Sequence, residues 1–292
     1  MTSGPDPTAV FEQHRSALVG AAYRILGSRV EAEDVAQEAW IRWQGVDHAT
    51  VDEPRAYLLT ISSRLALNRV RHLATRKESY VGPWLPEPVA SEPDPRADGA
   101  AAAQLADEVS MAMLIVLESL SPLERAAFVL TEVFGMAAPV VAQALDRSPA
   151  AVRQLVHRAR SHVEARQPRQ VVDSQRHREV TEQFMAAAAG GDVARLVELL
   201  SPDVVLVTDG GGVKQAALRP IHGAEKVLRF FAGVMAKPES SGASFELRQV
   251  NGELTIVVNN DGELDGVFFV TVEDDRITAL HGIRNPEKLG AV

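Results

Sequence analysis

Between residues 148 and 163 the apolar positions Val152, Leu155, Val156, Ala159 and Val163 recur at three-and-four spacing, which predicts an amphipathic helix. Ser148-Pro149 starts it with a capping hydroxyl and a proline at the first helical position, where no backbone donor is lost. Ser121-Pro122 repeats that start, and Leu123, Ala126, Ala127, Leu130 and Phe134 give the supporting helix its apolar face. A short helix is predicted from about Ala138 to Leu145. Only Asp146-Arg147 then separates it from the next helix, the connection length of a helix-turn-helix. Earlier, a helix starts at Pro54 and meets no breaker before Gly82. Beyond residue 174 the period changes. Helices over about Gln175–Ala189 and Asp192–Leu200, split by the left-handed stop Gly190-Gly191, give way to VVLVT, SFELRQV, ELTIVVNN, GVFFVTVED and RITALHGI, with one more helix over Gly223–Ala236. These five stretches are β-branched, largely alternating and separated by Gly, Asn or Asp, the signature of short antiparallel strands. A multidomain chain is expected: two all-α helical domains, the second a helix-turn-helix, then an α+β domain with a curved antiparallel sheet.

Composition narrows this. At 292 residues with 46% hydrophobic and 24% charged positions, and with no long apolar run, the expectation is two or three domains and no membrane partner. The N-terminal MTSGPDPTAV lacks the basic and apolar regions of a secretory signal, and the absence of cysteine removes disulfides, thiolate metal sites and cysteine nucleophiles. A cytoplasmic address is expected. The net charge of -9 argues against nucleic acid, yet its distribution argues for it. Arg55, Arg64, Asn68, Arg69, Arg71, His72, Arg76 and Lys77 precede the first acid of their helix at Glu78, and Arg153, His157, Arg158, Arg160 and Arg166 project from the 148–163 helix. Two cationic helix faces in an acidic chain predict phosphate-facing surfaces. Residues 79–103 lack periodicity and are rich in proline, glycine, alanine and acid, as a linker is. Within it, Trp84-Leu85-Pro86-Glu87-Pro88 is a compact apolar anchor held extended by its prolines, expected to dock on a folded surface.

At these residues the chain resembles the extracytoplasmic-function (group 4) sigma factors. The helix-turn-helix is similar to their promoter-binding region 4, and the segment EAEDVAQEAW is similar to the region-2 motif that docks on the polymerase clamp. The resemblance implies core RNA polymerase and promoter DNA as partners. Asp34, Gln37, Glu38, Trp40 and Trp43 would then contact polymerase, and an acidic ridge beside an aromatic can stay exposed on α-helical spacing. Arg64, Asn68, Arg71, His72 and Arg76 would meet the minus-ten element, and Arg147, Ser148, Arg153, Gln154, His157 and Arg158 the minus-thirty-five element. The helix-turn-helix departs from the family pattern at Ala138-Pro139-Val140-Val141-Ala142, and Asp146 stands for the usual turn glycine. The implied boundaries are 1–80 for region 2, 81–104 for the linker, 105–168 for region 4 and 175–292 for the C-terminal domain.

That last domain has the element order of a SnoaL-like α+β cone, and the chain resembles the sigma subgroup extended by one. WLPEP matches that subgroup's linker motif. Asp209-Gly210-Gly211-Gly212 followed by Lys214 is similar to its DGGGK motif, displaced by Val213, and Asn285-Pro286-Glu287-Lys288-Leu289 is similar to its NPDKL, with glutamate for aspartate. Trp84, Leu85, Pro86 and these two motifs are the expected interdomain regulatory residues. SnoaL-like cones hold apolar pockets, so an unidentified small-molecule ligand is a further implied partner. Asp209, His222, Asp265 and His281 are the available acid–base groups, and none forms a nucleophile–base pair or a metal spacing. No catalytic residue, cofactor or metal is expected, and a monomer is expected for the free protein. The reading is a sigma factor regulated in cis by its C-terminal domain; the alternative is a SnoaL-like isomerase, cyclase or ligand sensor on a helical DNA-binding scaffold.

Overall fold

A computed structural model describes residues 6–91, 109–166, 173–237 and 241–292, with the side chains of 74–77 also outside the description. The remainder of the 81–104 linker, the start and end of the 105–168 segment, and the Arg76 side chain therefore lie outside the described residues. The chain divides into two units: one built from residues 1–78, 94–105 and 113–167, the other from 79–93, 106–112 and 168–292.

In the first unit, α1 (Pro7–Leu26), α2 (Arg29–Gln44) and α3 (Pro54–Glu78) pack around Leu18, Tyr23, Ile25, Trp43, Leu58 and Leu59, all at most 1% exposed. Asp6 caps α1, Gly27 ends it at φ 69°, and the Ser28 side chain opens α2, so each boundary is chemically marked. α4 (Met111–Glu118), whose first two residues fall in the second unit, α5 (Pro122–Phe128), α6 (Ala138–Leu145) and α7 (Pro149–Glu164) follow. Ser121 and Glu124 close a reciprocal capping box on α5, and Ser148 caps α7 through the Ala151 N–H at 3.2 Å. Asp146 occupies the left-handed region at φ 52° and ends α6, where a short polar side chain replaces glycine. The predicted helix over 122–134 loosens at its end: Val129–Val133 is a π-helical turn, with Phe134 N–H donating to Val129 O at 3.2 Å.

The second unit holds α8 (Ser174–Gly190), α9 (Val193–Leu199), α10 (Ala224–Met235) and a six-stranded sheet ordered β2-β1-β6-β5-β4-β3. The strands are β1 (Leu200–Asp209), β2 (Ile221–His222), β3 (Ala243–Val250), β4 (Glu253–Asn260), β5 (Glu263–Glu273) and β6 (Arg276–Ile283). Asn251-Gly252, Asp261-Gly262 and Asp274-Asp275 all sit at positive φ. They make three two-residue hairpins whose twist matches the flanking strands. Four of the five pairings are antiparallel; β1 runs parallel to β6, because the chain between them crosses α10 and the three-hairpin meander. Irregular register in β1, β4 and β5 bends the sheet around Phe184, Leu196, Leu206, Val227, Ile256, Val270 and Leu280.

Candidate functional site

In the first unit the α7 surface carries Arg147, Ser148, Arg153, Gln154, His157 and Arg158, all exposed, while Val152, Leu155, Val156, Ala159 and Val163 are buried beneath. Backing groups orient part of this face. Arg158 Nε donates to Glu124 Oε1 at 2.7 Å and Arg160 Nη2 to Glu132 Oε1 at 2.8 Å. Hydrogen bonds from Ser121 and the Arg158 guanidinium hold the Glu124 carboxyl below the usual carboxylate range, so the capping acid stays ionised beside α7. Arg153, Gln154 and His157 have their side chains at the surface one turn apart.

On α3, Asn68, Arg71 and His72 are exposed. Arg64 is exposed too, yet its guanidinium is engaged: Nε donates to Ala144 O at 3.0 Å and Nη2 to Gln143 O at 2.5 Å. These are last-turn carbonyls of α6, where unpaired acceptors and the helix dipole favour a cation. Two further arginines join the region-2 helices to the helix-turn-helix side. Arg55 Nη1 donates to Phe134 O at 3.3 Å, and buried Arg125 donates to Ile25 O at 2.8 Å while pairing with Glu118 at 3.1 Å. Arg69 lies among the predicted basic residues but pairs with Glu31 and, at 2.7 Å, with Asp34.

On α2, Asp34 and Gln37 are exposed and Glu38 and Trp40 half-buried, with Trp40 against Phe11 at 4.9 Å between ring centroids. Trp43 is a correction to the sequence reading: it is 1% exposed, its indole N–H donates to Pro7 O at 2.9 Å, and His48 packs edge-on. It belongs to the core, because it falls one helical turn along the buried stripe of Ala36 and Ala39.

The C-terminal motifs converge within the second unit. Asp209, 0% exposed at the end of β1, accepts hydrogen bonds from Leu85 N at 2.8 Å, Gly211 N at 3.2 Å, Tyr80 Oη at 2.5 Å and Lys288 Nζ at 2.8 Å. Lys288 Nζ also donates to Leu85 O at 2.6 Å and lies 3.4 Å from the Trp84 ring centroid and 5.0 Å from that of Tyr80. A buried ammonium thus sits among a carboxylate, a carbonyl and two aromatic faces, which replace its water. Asn285 caps the turn Pro286–Lys288 through Glu287 N–H, and its side chain donates to Tyr80 Oη at 2.8 Å. Burial, then the bond to Asp209, raises the Tyr80 phenol above its ordinary range, so it remains a donor. Leu85 and Pro86 are buried against this cluster together with Leu289, whereas Pro286 and Glu287 are exposed.

Gly210, Gly211 and Gly212 permit this approach. A Cβ on Gly211, at φ 62°, would lie 2.5 Å from the Asn285 side chain, and one on Gly212 3.1 Å from Val81. Further along, Val89 exchanges hydrogen bonds with Asn251, Ala90 N–H donates to Ala291 O at 2.8 Å, and Ser91 bonds Gln249 and Gly252. The segment from Tyr80 to Ser91 is therefore fastened along its length. Lys214 takes a different partner, Asp265, at 2.9 Å.

The candidate acid–base groups are separated. Asp209 is in the clasp, Asp265 is between Lys214 and Arg284, His222 is exposed, and His281 lies on the face of β6 opposite buried Leu280. Burial lowers His281 to about 4, which leaves it neutral. Among the described residues no group of three acidic or histidine side chains could hold a metal, and no helix is long and apolar enough to cross a membrane.

Family models match three stretches of the chain: Sigma-70 region 2 over residues 10–76, Sigma-70 region 4 over 110–163 and the SnoaL-like domain over 181–280. The chain is 41% identical over 289 residues to the ECF RNA polymerase sigma factor SigJ of Mycobacterium tuberculosis, covering 95% of this chain and 91% of that one. It is 32% identical over 291 residues to the probable ECF RNA polymerase sigma factor SigI of the same species, covering 97% and 95%. The crystal structure of the M. tuberculosis SigJ factor superimposes with a TM-score of 0.77 at 38% identity, covering 96% of this chain and 97% of that one.

Proposed function

The chain belongs to the extracytoplasmic-function sigma factors with a C-terminal SnoaL-like domain, and starting from its role in transcription initiation we propose which surfaces perform it and how the C-terminal domain intervenes. Core RNA polymerase docks on the α2 ridge of Asp34, Gln37, Glu38 and Trp40. The minus-ten element meets Arg64, Asn68, Arg71, His72 and Arg76 on α3, and the minus-thirty-five element meets the exposed face of α7. The protein acts where the polymerase is, in the cytoplasm, and the SnoaL-like domain regulates in cis rather than catalysing a reaction.

The buried Asp209–Lys288 pair carries the regulatory reading. It fixes Trp84 and Leu85 of the segment that joins the two promoter-binding regions in sequence, and a charged pair with both partners under 5% exposed persists only where its hydrogen bonds are complete. Opening it would free residues 80–91 and so lengthen the connection between the two regions. A longer tether lowers the effective concentration of the second DNA-binding region once the first is bound, by roughly two- to threefold for a doubling in length.

Run-off transcription with core polymerase tests this. Lys288→Met, which keeps the stem and removes the charge, is expected to lower output from two-element promoters about two- to threefold and to leave binding to core polymerase unchanged. Output equal to wild type, although a changed Trp84 emission shows the clasp to be open, would remove the clasp from the regulatory account.

A further inference from the structure

The second unit holds a partly open cavity of about 1080 Å³ between its helices and its sheet. Phe184, Phe230, Phe231 and Phe268 form one wall as a connected aromatic cluster, with neighbouring ring centroids 6.0 to 6.5 Å apart. Phe184 is buried in the core at the back of this wall, and Phe230, Phe231 and Phe268 are half-buried along it, an unusual expenditure of apolar surface, since a core that needed only stability would close over them.

One end of the same cavity is polar and positive. Asp265, 8% exposed, accepts from Lys214 Nζ at 2.9 Å, from Arg284 Nε at 3.0 Å and from Arg284 Nη2 at 2.5 Å. Arg284 Nη1 donates to Gln215 O at 2.7 Å, so the guanidinium is held in a fixed orientation. Burial alone would raise the Asp265 carboxyl, but its two cationic partners keep it below its ordinary value. One ionised carboxylate then faces two cations. Of the other charged groups on the described cavity wall, Glu225 is paired with Arg229 at 2.6 Å and Lys237 is bonded to the Gln215 side chain. The balance at the polar end is therefore positive, beside an apolar chamber.

We propose that this cavity binds an amphipathic organic anion, a carboxylic or sulfonic acid with a bulky aromatic body, its anion on Lys214 and Arg284 and its body against the four phenylalanines. The charge supplies the selectivity. In a partly desolvated site a single surplus cation discriminates an anion from its uncharged analogue by about tenfold or more. The inference is independent of the clasp reading, although the two sites share backbone: Arg284 N–H donates to Asp209 O at 2.7 Å, and Arg284 directly precedes Asn285.

The test uses the full chain and two dyes with the same ring system, 1-anilinonaphthalene-8-sulfonate and the uncharged N-phenyl-1-naphthylamine, titrated by fluorescence. Both are expected to bind saturably at one site, the sulfonate about tenfold more tightly. Arg284→Gln and, separately, the more exposed Lys214→Gln are expected to weaken the sulfonate about tenfold and to leave the neutral dye within twofold. Leu228→Trp, which fills the chamber from α10, is expected to abolish both, with circular dichroism unchanged. Equal affinity for the two dyes, equal weakening of both in the two charge variants, or retention of both in Leu228→Trp overturns the proposal. So does the absence of saturable binding to wild type.

Discussion

Gly211 shows how far a single missing side chain reaches. At φ 62° with Asn285 only 2.5 Å from where a Cβ would stand, it combines a left-handed backbone with a close approach of the terminal turn. Gly262 has a similar backbone, φ 83°, with nothing within 4 Å. Gly262→Ala is therefore expected to cost about 1 kcal/mol of strain, and Gly211→Ala about 2 to 3 kcal/mol, because the collision adds to the strain. Urea denaturation of the two variants checks this; equal costs would show that the turn at Asn285 yields. The glycine run was legible in the sequence as a place of close approach. Its neighbour was not, since nothing in DGGG names a side chain seventy-odd positions away, and only the family motif associated the two. Trp43 went the other way: the resemblance set it among the polymerase contacts, and its place on the buried stripe of α2, with packing against the start of α1, puts it in the core.

At the level of elements, the caps carried most of the information. Ser121, Ser148, Asp192 and the three positive-φ hairpins stand where their chemistry placed them, because a helix start or a two-residue turn is solved locally. The π turn at 129–133 and the parallel β1–β6 pairing were not readable, since each depends on what the element packs against. The recognition helix yields a prediction at this scale. Arg153 is exposed with no carboxylate partner among the described residues, whereas Arg158 is anchored to Glu124. Arg153→Ala is expected to weaken promoter binding roughly tenfold at low salt and to reduce the slope of log affinity against log salt by about one, through loss of one phosphate contact. Fluorescence anisotropy at several salt concentrations measures both, and an unchanged slope would take Arg153 off the DNA. Arg64 differs again: its guanidinium is taken up by the α6 carbonyls, so a contact from Arg64 to DNA would require α6 to let go, whereas Asn68, Arg71 and His72 are already exposed.

For the whole molecule, pH is an instructive variable. Glu253 opens β4, and its carboxylate is bonded by the Ser110 side chain and the backbone N–H groups of Met111 and Ala112, all within the second unit. Burial outweighs these bonds and pushes it up to about 7. A carboxyl raised in the folded state stabilises fully below about 4.5 and loses that contribution as pH climbs through 7. His281, lowered to about 4, acts in the opposite sense, its penalty appearing as pH falls below about 6.5. The two partly cancel in the wild type, so the informative quantity is the difference from Glu253→Gln. Wild-type stability relative to that variant is expected to fall by up to roughly 3 kcal/mol between pH 4.5 and 7.5, measured by urea unfolding; a flat difference would mean that the carboxyl is hydrated.

The clasp also imposes an order in time. Lys288 and Leu85 are 203 positions apart, so a ribosome adding ~5–20 residues per second makes the two partners some 10 to 40 seconds apart. Both promoter-binding regions are complete before the lysine that secures their connection exists. During that interval Tyr80, Trp84 and Leu85 have no counter-surface and are open to chaperones and proteases. A message cut short anywhere before codon 285 would leave that state permanent, and the fragment would expose the same aromatic residues that the finished protein conceals.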